Sequence, residues 1–299
     1  RDYGVGVIAG LAVAALFACS PSAEEPTTGR LAQAVITDNG MSLNGMSLNG
    51  ISMNGMSMNG MSMNGMSMNG ISMNGSALAG VTADGTVLAG EDFIGVEMVG
   101  VLDDGGAVSL RIDDVRRAGD VYHYTVSYGT SEGGSPLCRL DADGTPQTAV
   151  AVAGRWDLRQ GVAGGGAKLD DPSMFTLSCT DGAIAKCIEL GYKPWASLAA
   201  HHQACTRMLR ADFCGDGSSF TVDGTFINLY DGIGVQADTE HWSFEAEWDE
   251  DGAVCLKEQR VDAMGTPPCV GELEWKKCGK SKKKHFAAGT LLMSEFNEL

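Results

Sequence analysis

The chain reads as a mainly β or α+β protein in two parts. A short β-solenoid is expected over residues 39–105, followed over residues 106–290 by a disulfide-rich α+β domain with a mostly antiparallel sheet. Three observations predict this. A glycine falls on every fifth residue from Gly40 to Gly105, and the units from Asn39 to Met73 spell Asn-Gly-(Met/Ile)-Ser-(Met/Leu). Eight of the nine cysteines lie between residues 138 and 278. Around those cysteines, apolar residues alternate with the two-residue period of strands in some stretches and follow helical spacing in others.

At the N-terminus, Val5 to Phe17 is an apolar run of about a dozen residues, short of the roughly 20 that a membrane-spanning helix needs. It ends at Leu16-Phe17-Ala18-Cys19. This resembles the signal of bacterial lipoproteins, which implies removal of residues 1–18 and acylation of Cys19. The membrane is then a partner through the lipid. Residues 19–38 follow as a flexible tether, small, acidic and Pro-containing between Ser20 and Thr28. Ser20 rather than an aspartate follows the cysteine, a pattern that resembles outer-membrane lipoproteins. The expected address is the cell envelope, at the outer membrane or cell surface.

The repeat places two apolar residues in every five and carries no charge between Asp38 and Asp84, unlike a solvated linker. Helix is excluded, because a glycine every fifth residue costs about 1 kcal/mol each time and the apolar spacing smears around all faces. The Met-Ser-Met triplets alternate like strands, and each Asn-Gly can turn a corner with positive φ. The pattern is similar to pentapeptide-repeat proteins, which wind into a quadrilateral β-helix. That resemblance implies inward central residues at Leu43, Leu48, Met53, Met58, Met63, Met68, Met73, Leu78, Leu88, Phe93 and Met98.

In the C-terminal half, Ala107 to Ile112 and Val121 to Tyr128 alternate around Ala118-Gly119-Asp120, which predicts a hairpin. Gly182 to Leu190 and Ser197 to Leu209 predict two helices. Strands resume from Phe220 through Leu229 and from Trp242 to Trp248. Residues 291–299 are assigned as a tail. Cys138, Cys179, Cys187, Cys205, Cys214, Cys255, Cys269 and Cys278 form an even set without a CxxC pair, so four disulfides in an oxidising compartment are expected and zinc is not. Their connectivity is left open. A net charge of -17 excludes general nucleic-acid binding, and the cluster from Lys276 to Lys284 is expected to be a solvated segment.

The segment Arg210-Ala211-Asp212-Phe213-Cys214-Gly215-Asp216-Gly217, with Gly191-Tyr192-Lys193-Pro194-Trp195 and Ala204-Cys205-Thr206-Arg207-Met208, resembles the ADYC domain of myxobacterial and related secreted proteins. Phe213 stands where that family has its naming tyrosine. The resemblance implies an architecture without implying a reaction.

Two chemical constellations compete with a non-catalytic role. His201 and His202 on the second helix, with Asp212 and Asp216 nearby in sequence, could serve a hydrolase of envelope or external polymers. Adjacent helical residues point about 100 degrees apart, so one histidine at most serves a given site. Glu247, Asp249, Asp251, Gly252, Val254 and Glu258 follow an EF-hand-like register, although a hairpin turn at Asp249–Gly252 explains them more simply. Trp195, Trp242 and Trp248 are read as core rather than a sugar platform. The resulting expectation is an envelope lipoprotein with a binding or structural role, no cofactor, and a protein or glycan partner of unassigned identity.

Overall fold

A computed structural model describes residues 62–67, 71–81, 85–101, 107–129, 134–172, 174–273 and 288–297, together with Cys278 and Phe286. The signal segment, Cys19, the tether, the repeat as far as residue 61 and the Lys276 to Lys284 cluster lie outside the described residues.

The described repeat residues form antiparallel strands and show no solenoid coil. Ser62–Ser67 is strand β1, and β2 (Ile71–Asn74), β3 (Ala77–Val81) and β4 (Val87–Ala89) make a three-stranded meander. This corrects the solenoid expectation for these residues, and the glycines supply the reason. Gly75, Gly85 and Gly95 have φ of 63, 87 and 84°, outside any strand, whereas Gly80 and Gly100 lie within strands opposite Ile71 and Val108. Gly75 and the Gly85 segment, ten residues apart, reverse the chain between β2, β3 and β4, which gives a meander there rather than one corner per five. Gly90 departs from that alternation and opens a short 3-10 helix, Gly90–Phe93.

The main sheet has seven strands. It contains β5 (Glu97–Val101), β6 (Ala107–Ala118), β7 (Val121–Tyr128), β8 (Ser135–Pro136) and β9 (Ala149–Ala153). A small ribbon of β10 (Arg155–Trp156) and β11 (Lys168–Leu169) precedes the last member, β12 (Met174–Cys179). The order is β1-β12-β9-β7-β6-β5, with β8 also on β7, and every pairing is antiparallel. The predicted hairpin is β6–β7.

Leu78 and Phe93, from the degenerate end of the repeat, are buried in one core with Leu110, Ile112, Tyr124, Phe175 and Leu177. The compositional boundary near residue 106 is thus not a packing boundary. Tyr124 sews the two together: its hydroxyl donates to the Ser76 carbonyl at 3.0 Å and accepts the Leu78 N–H at 2.8 Å. Burial pushes its pKa up to about 12. The Gly75 turn also seats on Trp195, whose indole nitrogen a Cβ at that position would approach to 3.2 Å.

The helices form where expected, as α1 (Ala183–Glu189) and α2 (Ala199–Arg210). The second sheet has the order β13-β16-β14-β15, from β13 (Ile227–Asp231), β14 (Ser243–Asp249), β15 (Gly252–Leu256) and β16 (Leu292–Phe296). Residues assigned as a tail therefore supply an interior strand, with Leu292, Met293 and Phe296 buried. A strand added from the chain's far end pairs on both sides, which no local pattern announces. Residues 220–225 carry no strand, so the expected strand shortens to β13.

All eight C-terminal cysteines pair: Cys138–Cys179, Cys187–Cys205, Cys214–Cys269 and Cys255–Cys278. Four bridges indicate an oxidising environment outside the cytoplasm. No helix among the described residues is long and apolar enough to cross a membrane.

Candidate functional site

The sequence marks the end of α2 as the densest patch of chemistry, and the structure shows how it is built. Ala211 takes the left-handed conformation (φ 50°, ψ 42°) and closes the helix, its N–H donating to the Met208 carbonyl and that of Asp212 to the Arg207 carbonyl. The next side chain then turns back beneath the helix. Asp212, with no exposed surface, receives Arg207 Nη1 at 2.5 Å and the backbone N–H groups of Asp216 and Gly217, each at 3.1 Å. Arg210 Nη1 lies 3.6 Å away, and its Nη2 donates to the Gly217 carbonyl at 2.5 Å. Burial lowers Arg210 to about 10, opposed by the Asp212 carboxylate, so it is cationic at neutral pH.

Arg207 also donates to the carbonyls of Gly165 and Glu250, which ties the 159–166 loop and the β14–β15 turn to the same knot. The glycines are required by contact. A Cβ on Gly215 would lie 1.6 Å from the Asp251 carbonyl oxygen, and one on Gly217 would lie 2.2 Å from that of Arg159. Phe213 is buried against Trp248 with ring centroids 5.2 Å apart, and Cys214 bridges to Cys269.

A second buried pair lies alongside. Glu245 and Arg260 are both fully buried in their side chains and form two hydrogen bonds of 2.5 Å, while Ser294 Oγ donates to the same carboxylate at 2.7 Å. Arg260 further donates to the Met208 carbonyl at the end of α2, at 2.9 Å. Trp248 donates its indole N–H to Ser294 at 2.8 Å. Helix α2 and strands β14 and β16 are held by one continuous polar network.

The family model for the ADYC domain matches residues 90–262, more than half of the chain. The chain belongs to the ADYC domain family. No curated protein and no solved structure matches it. The match begins inside the glycine-repeat register at Gly90 and ends at Asp262, so β1 and β16 complete the two sheets of the ADYC domain from outside the matched residues. The Ala-Asp-Phe-Cys segment of this ADYC domain is a structural knot: each of its four side chains is buried or bonded internally. Phe213 in place of tyrosine is consistent with that, since its ring faces the core.

The histidine constellation expected from the sequence does not assemble. His202 is fully buried, with Nε2 3.0 Å from the Ile184 carbonyl and its ring edge-on to Trp156. His201 stacks on Tyr192, and the carboxylate that acts on it is Asp231, not Asp212 or Asp216. Asp231 is committed to its own loop, accepting the N–H groups of Ile233, Gly234, Val235 and Gln236 and the Tyr192 hydroxyl. The Tyr-Asp-Gly sequence at 230–232 is the signal for such a turn. Trp195 and Trp248 pack inward, and the Trp242 backbone N–H is held by Glu295.

The calcium register resolves into the hairpin. Asp249 pairs with Gly252 across the β14–β15 turn, and the Asp251 N–H caps Asp249 at 2.8 Å. Glu247 instead accepts the Thr290 hydroxyl at 2.8 Å, away from the turn. Glu247, Cys255 and Cys278 bring ligand-type atoms within 4.8 Å of one another, but the two sulfurs are bonded together and offer no thiolate.

Burial of His202 has a pH consequence. The imidazole is held at about 4 against an ordinary 6.5, first by desolvation. The folded state binds fewer protons between those values, so stability present above about pH 6.5 is lost as pH falls toward 4. The loss is on the order of 3 kcal/mol at about 1.4 kcal/mol per pH unit. Unfolding free energies measured from pH 7 to 4 should show wild type losing that amount relative to His202→Gln. A pH-independent difference would mean the ring is not buried neutral.

Proposed function

We propose that this protein is a lipid-anchored component of the bacterial cell envelope, attached to the outer membrane through Cys19, with a binding or structural role. Residues 19–38 and the repeat units up to residue 61 would space the ADYC domain from the membrane. The anchor rests on Leu16-Phe17-Ala18-Cys19, and the non-catalytic role rests on the inward commitment of reactive side chains. Asp212, Arg207, Arg210, Glu245, Arg260 and His202 are buried and engaged within the domain, and eight cysteines are oxidised. A concavity lined by Glu97, Ser109, Arg111, Ser127, Tyr128, Gly129 and Gly134 has room for about one water. Neither His201, His202, Asp212 nor Asp216 reaches it. His202 and Asp212 are buried and His201 lies against Tyr192, so they do not come together as a hydrolytic pair, whereas a cross-linked body with an acidic balance suits display or contact at a surface.

Acylation needs the Cys19 thiol, so wild-type protein should partition with membranes and yield a diacylated or triacylated N-terminal peptide by mass spectrometry. Cys19→Ala should leave the precursor unlipidated. Mature wild type that begins at another residue and carries no acyl chain would overturn the anchor.

A further inference from the structure

The repeat has a period of five, an odd number, while side chains along a strand alternate with a period of two. An odd repeat laid against a regular strand should present opposite faces in successive units. The register of β1 removes that conflict. Ser62 pairs with Ser178 and Met63 with Leu177, yet Met66 pairs with Phe175 and Ser67 with Met174. Five residues of β1 thus span four of β12, and the irregularity falls at Asn64-Gly65, where a bulge absorbs the extra residue. Sliding the repeat by one unit moves it by four β12 residues, an even number, and restores the same pairing.

The hexapeptide Ser-Met-Asn-Gly-Met-Ser of β1 also occurs at residues 52–57 and 57–62. Strand β12 is bonded to β9 on its other side, so without β1 it is a sheet edge. The core of that edge is Leu177 and Phe175, both fully buried.

We propose that the β12 edge is a strand-acceptor site for the repeat unit as such, and that the repeat of a second copy of this chain occupies it. The three identical hexapeptides fit the edge alike, because the Asn-Gly bulge makes the repeat commensurate with the sheet. Exchange between two chains preserves the number of backbone pairings, so its cost is the entropy of association and its extent rises with concentration. Units 52–57 and 62–67 do not overlap, so one repeat can serve two acceptors and link more than two copies.

Ser67 is the register partner of Met174, and Ser57 occupies the equivalent position two units earlier. The test uses full-length chains. A single chain carrying Ser67→Cys and Met174→Cys should close an intramolecular disulfide, which establishes the trap. A Met174→Cys chain that also carries proline in place of Ser52, Met53, Ser57, Met58, Ser62 and Met63 disables all three of its identical units, since one of two consecutive strand residues directs its N–H at the neighbour and proline has none. Mixed with a Ser57→Cys chain under mild oxidation, it should give a covalent dimer linked between 57 and 174. The yield should rise with concentration and exceed several-fold that from an Asn59→Cys partner, which stands out of register. Equal yields from Ser57→Cys and Asn59→Cys, or closure only within the single chain, would overturn the proposal, as would failure of the intramolecular trap.

Discussion

Asp212→Ala is expected to cost about 3–5 kcal/mol of folding stability, the range found when one partner of a buried ion pair is removed. The size follows from what remains. Arg207 and Arg210 are each at most 2% exposed in their side chains, and without Asp212 two guanidiniums lose the buried carboxylate they share. The N–H groups of Asp216 and Gly217 lose their acceptor as well. Asp212→Asn keeps an oxygen for those donors and should fall between the alanine variant and wild type. Arg159→Ala, which breaks the Asp157 pair at a side chain 70% exposed, should be nearly silent by comparison. Denaturant unfolding at neutral pH provides the measurement. If Asp212→Ala costs no more than Arg159→Ala, the knot does not hold the ADYC motif together. The expectation concerns the loss of one partner, not the worth of the whole cluster, which an apolar replacement of similar shape could equal.

Reduction of the four bridges should be the other large effect. A disulfide typically contributes about 2–4 kcal/mol by restricting the unfolded chain, more for longer loops. The bridges close separations of 41, 18, 55 and 23 residues, so none spans a trivial loop. Two of them, Cys214–Cys269 and Cys255–Cys278, fasten the segment beyond Asp262 to the β14–β15 hairpin region. Losing both should free that segment first, and full reduction should unfold the domain under conditions where the oxidised protein is stable. Thiol counting before reduction should find none among the eight bridged cysteines. Peptide mapping should return Cys138 with Cys179, Cys187 with Cys205, Cys214 with Cys269 and Cys255 with Cys278. Two or more free thiols in the C-terminal half, or bound zinc, would refute this arrangement.

Some structural features are visible in local patterns. The β6–β7 hairpin and the two helices follow from short-range periodicity, and an even cysteine set with no CxxC announces disulfides rather than a metal. The Asp249–Gly252 turn is legible in the same way, because four consecutive residues suffice to specify it. The candidate site is legible only as a motif. Arg210 to Gly217 can be read off the chain, but not that Asp212 turns inward to Arg207, or that Gly215 abuts Asp251 and Gly217 abuts Arg159.

What the sequence by itself determined is therefore what each stretch of a few residues can decide alone: the five-residue glycine register, the helical spans, the turns, and the cysteine number. The tertiary structure decided everything that depends on residues far apart in the chain. It turned Gly75 and Gly85 into reversals, so the end of the repeat became a short meander and 3-10 helix whose Leu78 and Phe93 enter the domain core. It drew Leu292–Phe296 between β13 and β14 as an interior strand, with Glu295 accepting from Asn228 and Tyr230. It placed His202 beside the Ile184 carbonyl and away from Asp212. The physical reason is common to all three: a buried polar group or a sheet edge must find its partner wherever the chain brings one, and the identity of that partner is not encoded in the residues beside it.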